Sequence, residues 1–201
     1  ELVGIYLSAH PLDQFYLVLI YGCNTKLADM EKKASELDQE VTFGGLITSY
    51  EEKEARSGNK YGKIVIEDYT GKYDLMLFGN NYIEYNKFGI KGLAIMVKGV
   101  FRKGRFNDRI SFNIASITPL DEVKGKLLSN LTIQVPEDRF ADLSPLKETM
   151  TESTENRCNL NFRIFTNDRK HYVDMRSQYK IPINKQVLKK LESMEMEFSI
   201  N

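Results

Sequence analysis

Two cysteines, Cys23 and Cys158, and two histidines, His10 and His171, are the only thiol and imidazole groups among 201 residues. Four such groups, so widely separated, do not build a structural zinc site of the usual spacing. The cysteines are too far apart in sequence to read as a stapling disulfide, and a reducing compartment suits them better. No apolar run approaches the roughly 18 residues of a membrane span, and no signal-peptide pattern opens the chain. A cytoplasmic location and no membrane partner are therefore expected. Net charge is also missing, since 28 basic groups balance 28 acidic ones. Overall charge thus gives no sign of a nucleic-acid partner, but its distribution does. Residues 39–120 hold twelve basic and nine acidic groups, and residues 1–38 hold three and six. The middle third is the mildly basic one.

Catalytic sets are absent as well. His10 precedes Pro11 with no nucleophile–carboxylate set beside it, which suits a turn or packing residue. His171 sits in a Lys/Asp-rich stretch that reads as surface. Asp68 and Asp74 are not spaced as a metal pair, and Asp68 is expected to shape the turn before Thr70-Gly71. Gly99 and Gly104 are followed by no helix and so do not form a phosphate loop. No catalytic residue, metal or cofactor is expected in this stretch.

Three regions differ in pattern. Residues 1–37 read as the helical end of a preceding domain, because the chain opens at Glu1 in mid-pattern. Phe15-Tyr16-Leu17-Val18-Leu19-Ile20-Tyr21 is apolar on every face. A helix of that kind needs burial all round, and periodicity alone does not separate it from a buried strand. Residues 38–120 are β-rich. The paired glycines Gly44 and Gly45 suit a sharply bent first strand. Tyr61 to Asp68 alternates, with Ile64 and Ile66 on one side and Lys63, Val65 and Glu67 on the other. Further strands are expected at Tyr73 to Phe78, Leu93 to Phe101 and Arg109 to Ile117, with a short helix from Asn80 to Phe88. Three strands, a helix and two strands is the order of an OB-fold barrel.

Residues 125–201 read as a small α+β domain of β-α-β-β-α-β order. Its strands are expected at Leu128 to Val135, Leu160 to Phe165, Tyr172 to Met175 and Met194 to Ile200. Helices are expected from Pro136 to about Met150 and from Lys185 to Glu192, the second capped by Asn184. The fold class is thus mostly β with α+β: a five-stranded OB barrel followed by a β-α-β-β-α-β domain.

The loop joining the last two OB strands, Phe101-Arg102-Lys103-Gly104-Arg105-Phe106-Asn107-Asp108-Arg109, interleaves cations with rings. Single-strand binding uses that combination, charge for phosphates and rings for bases. With Lys98 it supplies Phe101, Arg102, Lys103, Arg105, Phe106 and Arg109 as candidate nucleic-acid contacts. The alternative is a solvated hairpin tip whose phenylalanines turn into the barrel. Arg56, Lys60 and Tyr61 at the first inter-strand loop are further candidates, and Lys63, Tyr73 and Phe78 are expected on the exposed barrel face, where packing is the alternative role. Glu51, Glu52 and Glu54 in that neighbourhood repel phosphate.

Gly4-Ile5-Tyr6-Leu7-Ser8-Ala9-His10-Pro11-Leu12-Asp13 resembles a G-x-Y-[LV]-[ST]-x-H-P segment that precedes an OB domain in the bacterial replicative DNA polymerase III alpha subunit. Val41 to Gly45, Gly62 to Asp68, Gly71, Leu75-Met76-Leu77-Phe78 and Leu93 to Gly99 are collinear with that family's OB strands. The resemblance implies a DNA-directed DNA polymerase whose nucleotidyltransferase centre lies upstream, outside this non-catalytic piece. It implies an OB domain holding single-stranded template DNA. It also implies a carboxyl-terminal domain docking the clamp loader's tau-type subunit, and contact with the rest of the polymerase chain. The family's internal clamp-binding peptide is expected before Glu1, and Gln39-Glu40-Val41-Thr42-Phe43 reads as strand instead. Two alternatives remain from the residues alone. One is a pure protein-docking module. The other is a tRNA anticodon-binding OB domain of an aminoacyl-tRNA synthetase.

Overall fold

The computed structural model describes residues 10–104, 108–146 and 157–200. Two compact units divide the chain, Glu1–Val123 and Lys124–Asn201.

The first unit is built on five antiparallel strands: β1 (Glu40–Glu54), β2 (Lys60–Glu67), β3 (Lys72–Leu77), β4 (Ala94–Lys103) and β5 (Ile110–Pro119). Their order is β3-β2-β1-β4-β5, with β1 paired to both β2 and β4. β1 runs on to Glu54, nine residues beyond the second of the paired glycines, Gly45. A bulge at Thr48 resets its register against β2, and the Thr48 hydroxyl donates to the Val65 carbonyl. Extra residues at a bulge bend a strand, which lets one long β1 serve both halves of the sheet.

The paired glycines have a second role, because two bodies press on them. A Cβ at Gly44 would lie 2.6 Å from a Leu19 methyl carbon, and one at Gly45 would lie 2.6 Å from the Glu67 carbonyl oxygen. β2 buries Gly62, Ile64 and Ile66 and leaves Tyr61, Lys63, Val65 and Glu67 half-covered. The core inside the curl takes Phe43, Ile47, Ile64, Ile66, Leu75, Leu77, Ile95 and Val97. Each such side chain contributes about 1.5–3 kcal/mol on burial.

The expected barrel is open in its backbone pairing. Among the described residues β3 and β5 end the sheet without a shared ladder. Rings bridge the opening: Phe43 lies 5.6 Å from Tyr73 of β3 and 5.7 Å from Phe112 of β5. Helix α3 (Asn80–Tyr85), continued by a 3-10 turn to Phe88, follows β3. The buried Tyr85 donates from its hydroxyl to the Ala115 carbonyl of β5.

Ahead of β1 lie two short helices, α1 (Tyr16–Gly22) and α2 (Met30–Ala34), preceded by 3-10 turns. α1 is not buried all round. Phe15, Leu17 and Val18 are covered, but Ile20 and Tyr21 are exposed, because a seven-residue helix laid on a sheet covers only the face it turns to that sheet. Asn24 then fastens this segment to β1, accepting from Thr42 N and donating to the Glu40 carbonyl.

The second unit begins within helix α4 (Leu120–Leu127). Its sheet, β8-β7-β6-β9, comprises β6 (Asn130–Pro136), β7 (Arg157–Phe165), β8 (Tyr172–Pro182) and β9 (Glu197–Ile200). β6 and β7 are parallel, and the other pairs are antiparallel. Of the helix expected from Pro136 to about Met150, the part over Glu137–Leu143 is a 3-10 segment, and its end falls in residues 147–156, which lie outside the described residues. Helix α5 (Lys185–Ser193) has the expected cap, with the Asn184 side chain accepting from Val187 N at 2.9 Å. β8 extends to Pro182 across a bulge that sequence alternation did not reveal.

Candidate nucleic-acid interface

Alternation places Lys53, Tyr61, Lys63, Val65, Glu67, Asp74 and Met76 on the outer face of the β1–β3 ladders, opposite the buried side. Tyr61 and Phe78 meet there with ring centroids 5.3 Å apart, and Phe78 is 58% exposed. Phe78 lies on this face because the β2–β3 register sets it beside Tyr61, one step beyond the Gly62–Leu77 pair.

Every cation on this face has a carboxylate beside it. Lys63 bonds Asp74 at 2.7 Å, Lys53 bonds Glu51 at 2.7 Å and Lys72 bonds Glu67 at 3.1 Å. Lys60 on the other side of β2 bonds Glu52 at 2.8 Å, and Tyr82 donates to the same carboxylate. Hydrogen bonds from Lys53 and Lys60 hold the Glu51 and Glu52 carboxyls below their ordinary range. Solvent screens exposed pairs of this kind, so each holds only weakly. A phosphate can therefore displace them, yet they cancel the field that would draw it in.

The two candidate loops lie at opposite ends of β1. The first, around Ala55–Asn59, turns through Gly58 at φ +81° and carries Arg56, which is exposed. The second lies past Glu40, which is paired with Val100 of β4. There Arg102 bonds Asp38 at 3.2 Å and Lys103 bonds Asp108 at 2.9 Å. Arg109 is exposed at the start of β5. Arg105 and Phe106 lie outside the described residues. Lys98 is exposed on β4 across from Thr42, on the side where α1 packs, and its charge acts on Cys23. Burial nevertheless pushes the Cys23 thiol up to about 12, so it is not a reactive thiolate.

Two candidate rings are turned inward. Phe101 is buried in the core, 5.0 Å from Phe112, and a ring so placed cannot stack on a base while the sheet stays folded. Alternation along β4 puts it with Ile95 and Val97, which its place beside Arg102 concealed. Tyr73 is half-buried edge-on against Phe43, and burial raises its hydroxyl to about 12. The structure thus groups Tyr61, Lys63 and Phe78 on one face, leaves Arg102, Lys103 and Arg109 at a loop, and removes Phe101 to the core.

Asp68 has the turn role expected of it. One carboxylate oxygen accepts from Thr70 N and Gly71 N, and the other accepts from Leu27 N. Among the described residues no group of three or more His, Cys, Asp and Glu side chains is placed to hold a metal ion. No described helix is long and apolar enough to cross a membrane.

This sheet order, with a helix between the third and fourth strands, is that of an OB fold. Residues 41–120 match a family model described as "OB-fold nucleic acid binding domain". The chain is also similar to DNA polymerase III subunit alpha from several bacteria. It is 26% identical to the Haemophilus influenzae protein over 140 residues, which covers 70% of this chain. It is 27% identical to the Borreliella burgdorferi protein over 161 residues (78% of this chain), and 24% identical to the Escherichia coli protein over 153 residues (75%). The matched stretch spans 12–14% of the length of these relatives. Among solved structures, the mitochondrial single-stranded DNA binding protein Rim1 of S. cerevisiae is 22% identical. That match covers 41% of this chain and 95% of Rim1 at a TM-score of 0.32.

Proposed function

We propose that this chain is a nucleic-acid-holding and replisome-docking region of a DNA-directed DNA polymerase of the DNA polymerase III alpha type. Its OB unit grips single-stranded template DNA, and its second unit docks a tau-type clamp-loader subunit. Nucleotidyl transfer belongs to other parts of the polymerase chain, and this region contributes no catalytic residue and needs no cofactor.

The observation that carries the reading is the Tyr61–Phe78 ring pair on the outer face of an OB-ordered sheet, with Lys63 alongside. Rings stack on bases without regard to sequence, and cations follow the backbone. Because each lysine on the face already holds a carboxylate, binding is weak and relies on the rings and loops. Titration of fluorescently labelled oligothymidylate across salt concentrations tests this. Affinity should fall with salt at a log–log slope of about −0.7 per phosphate neutralised. Absence of binding at low salt would overturn the DNA reading.

The neutrality of that face favours a second reading, in which the OB unit docks protein. Loss of tau-type binding with unchanged DNA affinity on removal of residues 125–201 would support the proposed division of labour. A large fall in DNA affinity on that deletion would reject it.

A further inference from the structure

The apolar face of the second sheet continues onto an edge that none of the described residues covers. Cross-strand register puts Ile133 beside Phe162 and Phe162 beside Met175, and likewise Val135 beside Ile164 and Ile164 beside Val173. Coverage falls steadily along these rows. Ile133 and Val135 on β6 are fully buried, Phe162 and Ile164 on β7 are half-buried, and Met175 and Val173 on β8 are 46% and 62% exposed. The core side of the sheet therefore stops one strand short of a polar margin.

The two sheet edges differ in kind. β9 has four residues, with exposed Glu197 and Ser199 alternating along it, a well-protected edge. β8 has eleven residues and is exposed from Tyr172 to Lys180 apart from the half-covered Ser177. Among the described residues only its β7 side is hydrogen-bonded within the sheet. A long edge with exposed apolar side chains is a template for another strand.

The opposite face of β8 supplies the charge. Asp174 is held in a two-pronged pair with Arg163 at 2.8 and 3.0 Å, and Arg163 also lies 4.6 Å over the Tyr172 ring. Arg176 and Lys180 stand on the same face, across from Asn161 and Asn159. Neither has a carboxylate within ion-pair distance among the described residues. The open edge thus offers two apolar positions on one side and two uncompensated cations on the other.

We propose that β8 is a strand-addition site for an extended segment of a protein partner whose apolar residues alternate with acidic ones. Its main chain pairs with the free side of β8. Its apolar side chains continue the row through Val173 and Met175, and its carboxylates lie beside Arg176 and Lys180. Main-chain pairing gives the affinity in this mode, and alternate side chains give the selectivity. This deepens the docking role proposed above by naming the surface and the chemistry of the partner segment, and it rests on that role.

The test uses the full chain and two dye-labelled peptides, one of alternating valine and glutamate and one with lysine for each glutamate. The glutamate peptide should bind and protect the amides of Val173 to Arg176 from hydrogen exchange. The double variant Arg176→Glu/Lys180→Glu should lose roughly tenfold in that affinity and gain the lysine peptide, since two cross-strand charge pairs change sign. Failure of both peptides at millimolar concentration overturns the proposal, as does binding that ignores the charge reversal or protects other amides. Dimerisation abolished by Val173→Glu/Met175→Glu would assign the edge to a second copy and overturn it too. A tau-type subunit that binds parent and double variant equally would leave docking intact and remove β8 as its seat. If that subunit binds neither while the peptide results hold, the tau-type assignment fails and β8 stands.

Discussion

Tyr69 donates its hydroxyl hydrogen to Asp13 at 2.7 Å, joining two residues 56 positions apart in sequence. The His10 ring lies 4.9 Å from the Tyr69 ring, and His10 N bonds the other Asp13 oxygen at 2.9 Å. The β2–β3 turn is therefore latched to the His10-Pro11-Leu12-Asp13 segment, while Asp68 and Thr70 hold the backbone at Leu27 and Ala28. The acid–base question raised by His10 thus has a structural answer, a ring packed within a latch.

The latch has a pH signature. Burial, and then the hydrogen bond to Asp13, raise the Tyr69 hydroxyl above its ordinary value. A raised folded-state value means the contribution is fully present below about pH 10, the unfolded value, and is lost as pH climbs through the folded value. Tyr69→Phe should cost about 1 kcal/mol at neutral pH for this half-exposed bond. The parent-minus-variant difference should shrink above about pH 10. Urea denaturation across pH measures both, and a difference constant up to pH 12 would refute the latch.

Gly45 should tolerate no side chain. Its Cβ would meet a backbone oxygen, Glu67 O, rather than the end of a flexible side chain. Gly45→Ala is expected to destabilise the first unit by about 1–3 kcal/mol, the range for overpacking. Chemical denaturation reads this directly.

Phe78 and Phe101 should separate binding from folding. Phe78→Ala removes an exposed ring and should weaken oligothymidylate binding by about 1–3 kcal/mol without altering its salt slope. The melting temperature should stay near that of the parent. Phe101→Ala removes a core ring and should cost about 3–5 kcal/mol of stability, with DNA affinity falling only as far as folding does.

Removing the carboxylate beside Lys63 should improve the grip on DNA. Asp74→Asn releases the lysine from its 2.7 Å partner. Affinity at low salt should rise, and the salt slope should steepen by up to about 0.7 for one more cation available to phosphate. An unchanged slope would show that the strand does not pass Lys63.

The loop between β4 and β5 can be tested by charge alone. Changing Arg102, Lys103 and Arg105 together to Ala should weaken oligothymidylate binding and flatten its salt slope. Parent-like binding at every salt concentration would shift attention to Arg56 and Lys60.

Much of the fold was legible in local pattern. Alternation along Tyr61 to Asp68 and the order of three strands, a helix and two strands led to the OB arrangement. Asn184 marked its helix and Asp68 its turn, because caps and Asx turns are made by residues close in sequence. The candidate site was legible only by half. Neighbouring residues of one strand point to opposite faces, so Phe101 and Arg102 shared a promising segment yet parted in space. Which face is core was decided by β1 pairing with β4, a contact between distant segments. The same holds for the carboxylates. Lys63 and Asp74, eleven positions apart, meet only because β2 and β3 pair in the observed register. Sequence by itself determined the strand periods, the caps and the turns, since these are set within a few residues. Tertiary structure alone decided which rings remain free, which cations are already paired and which edge strand is left open, since each depends on what long-range pairing brings alongside.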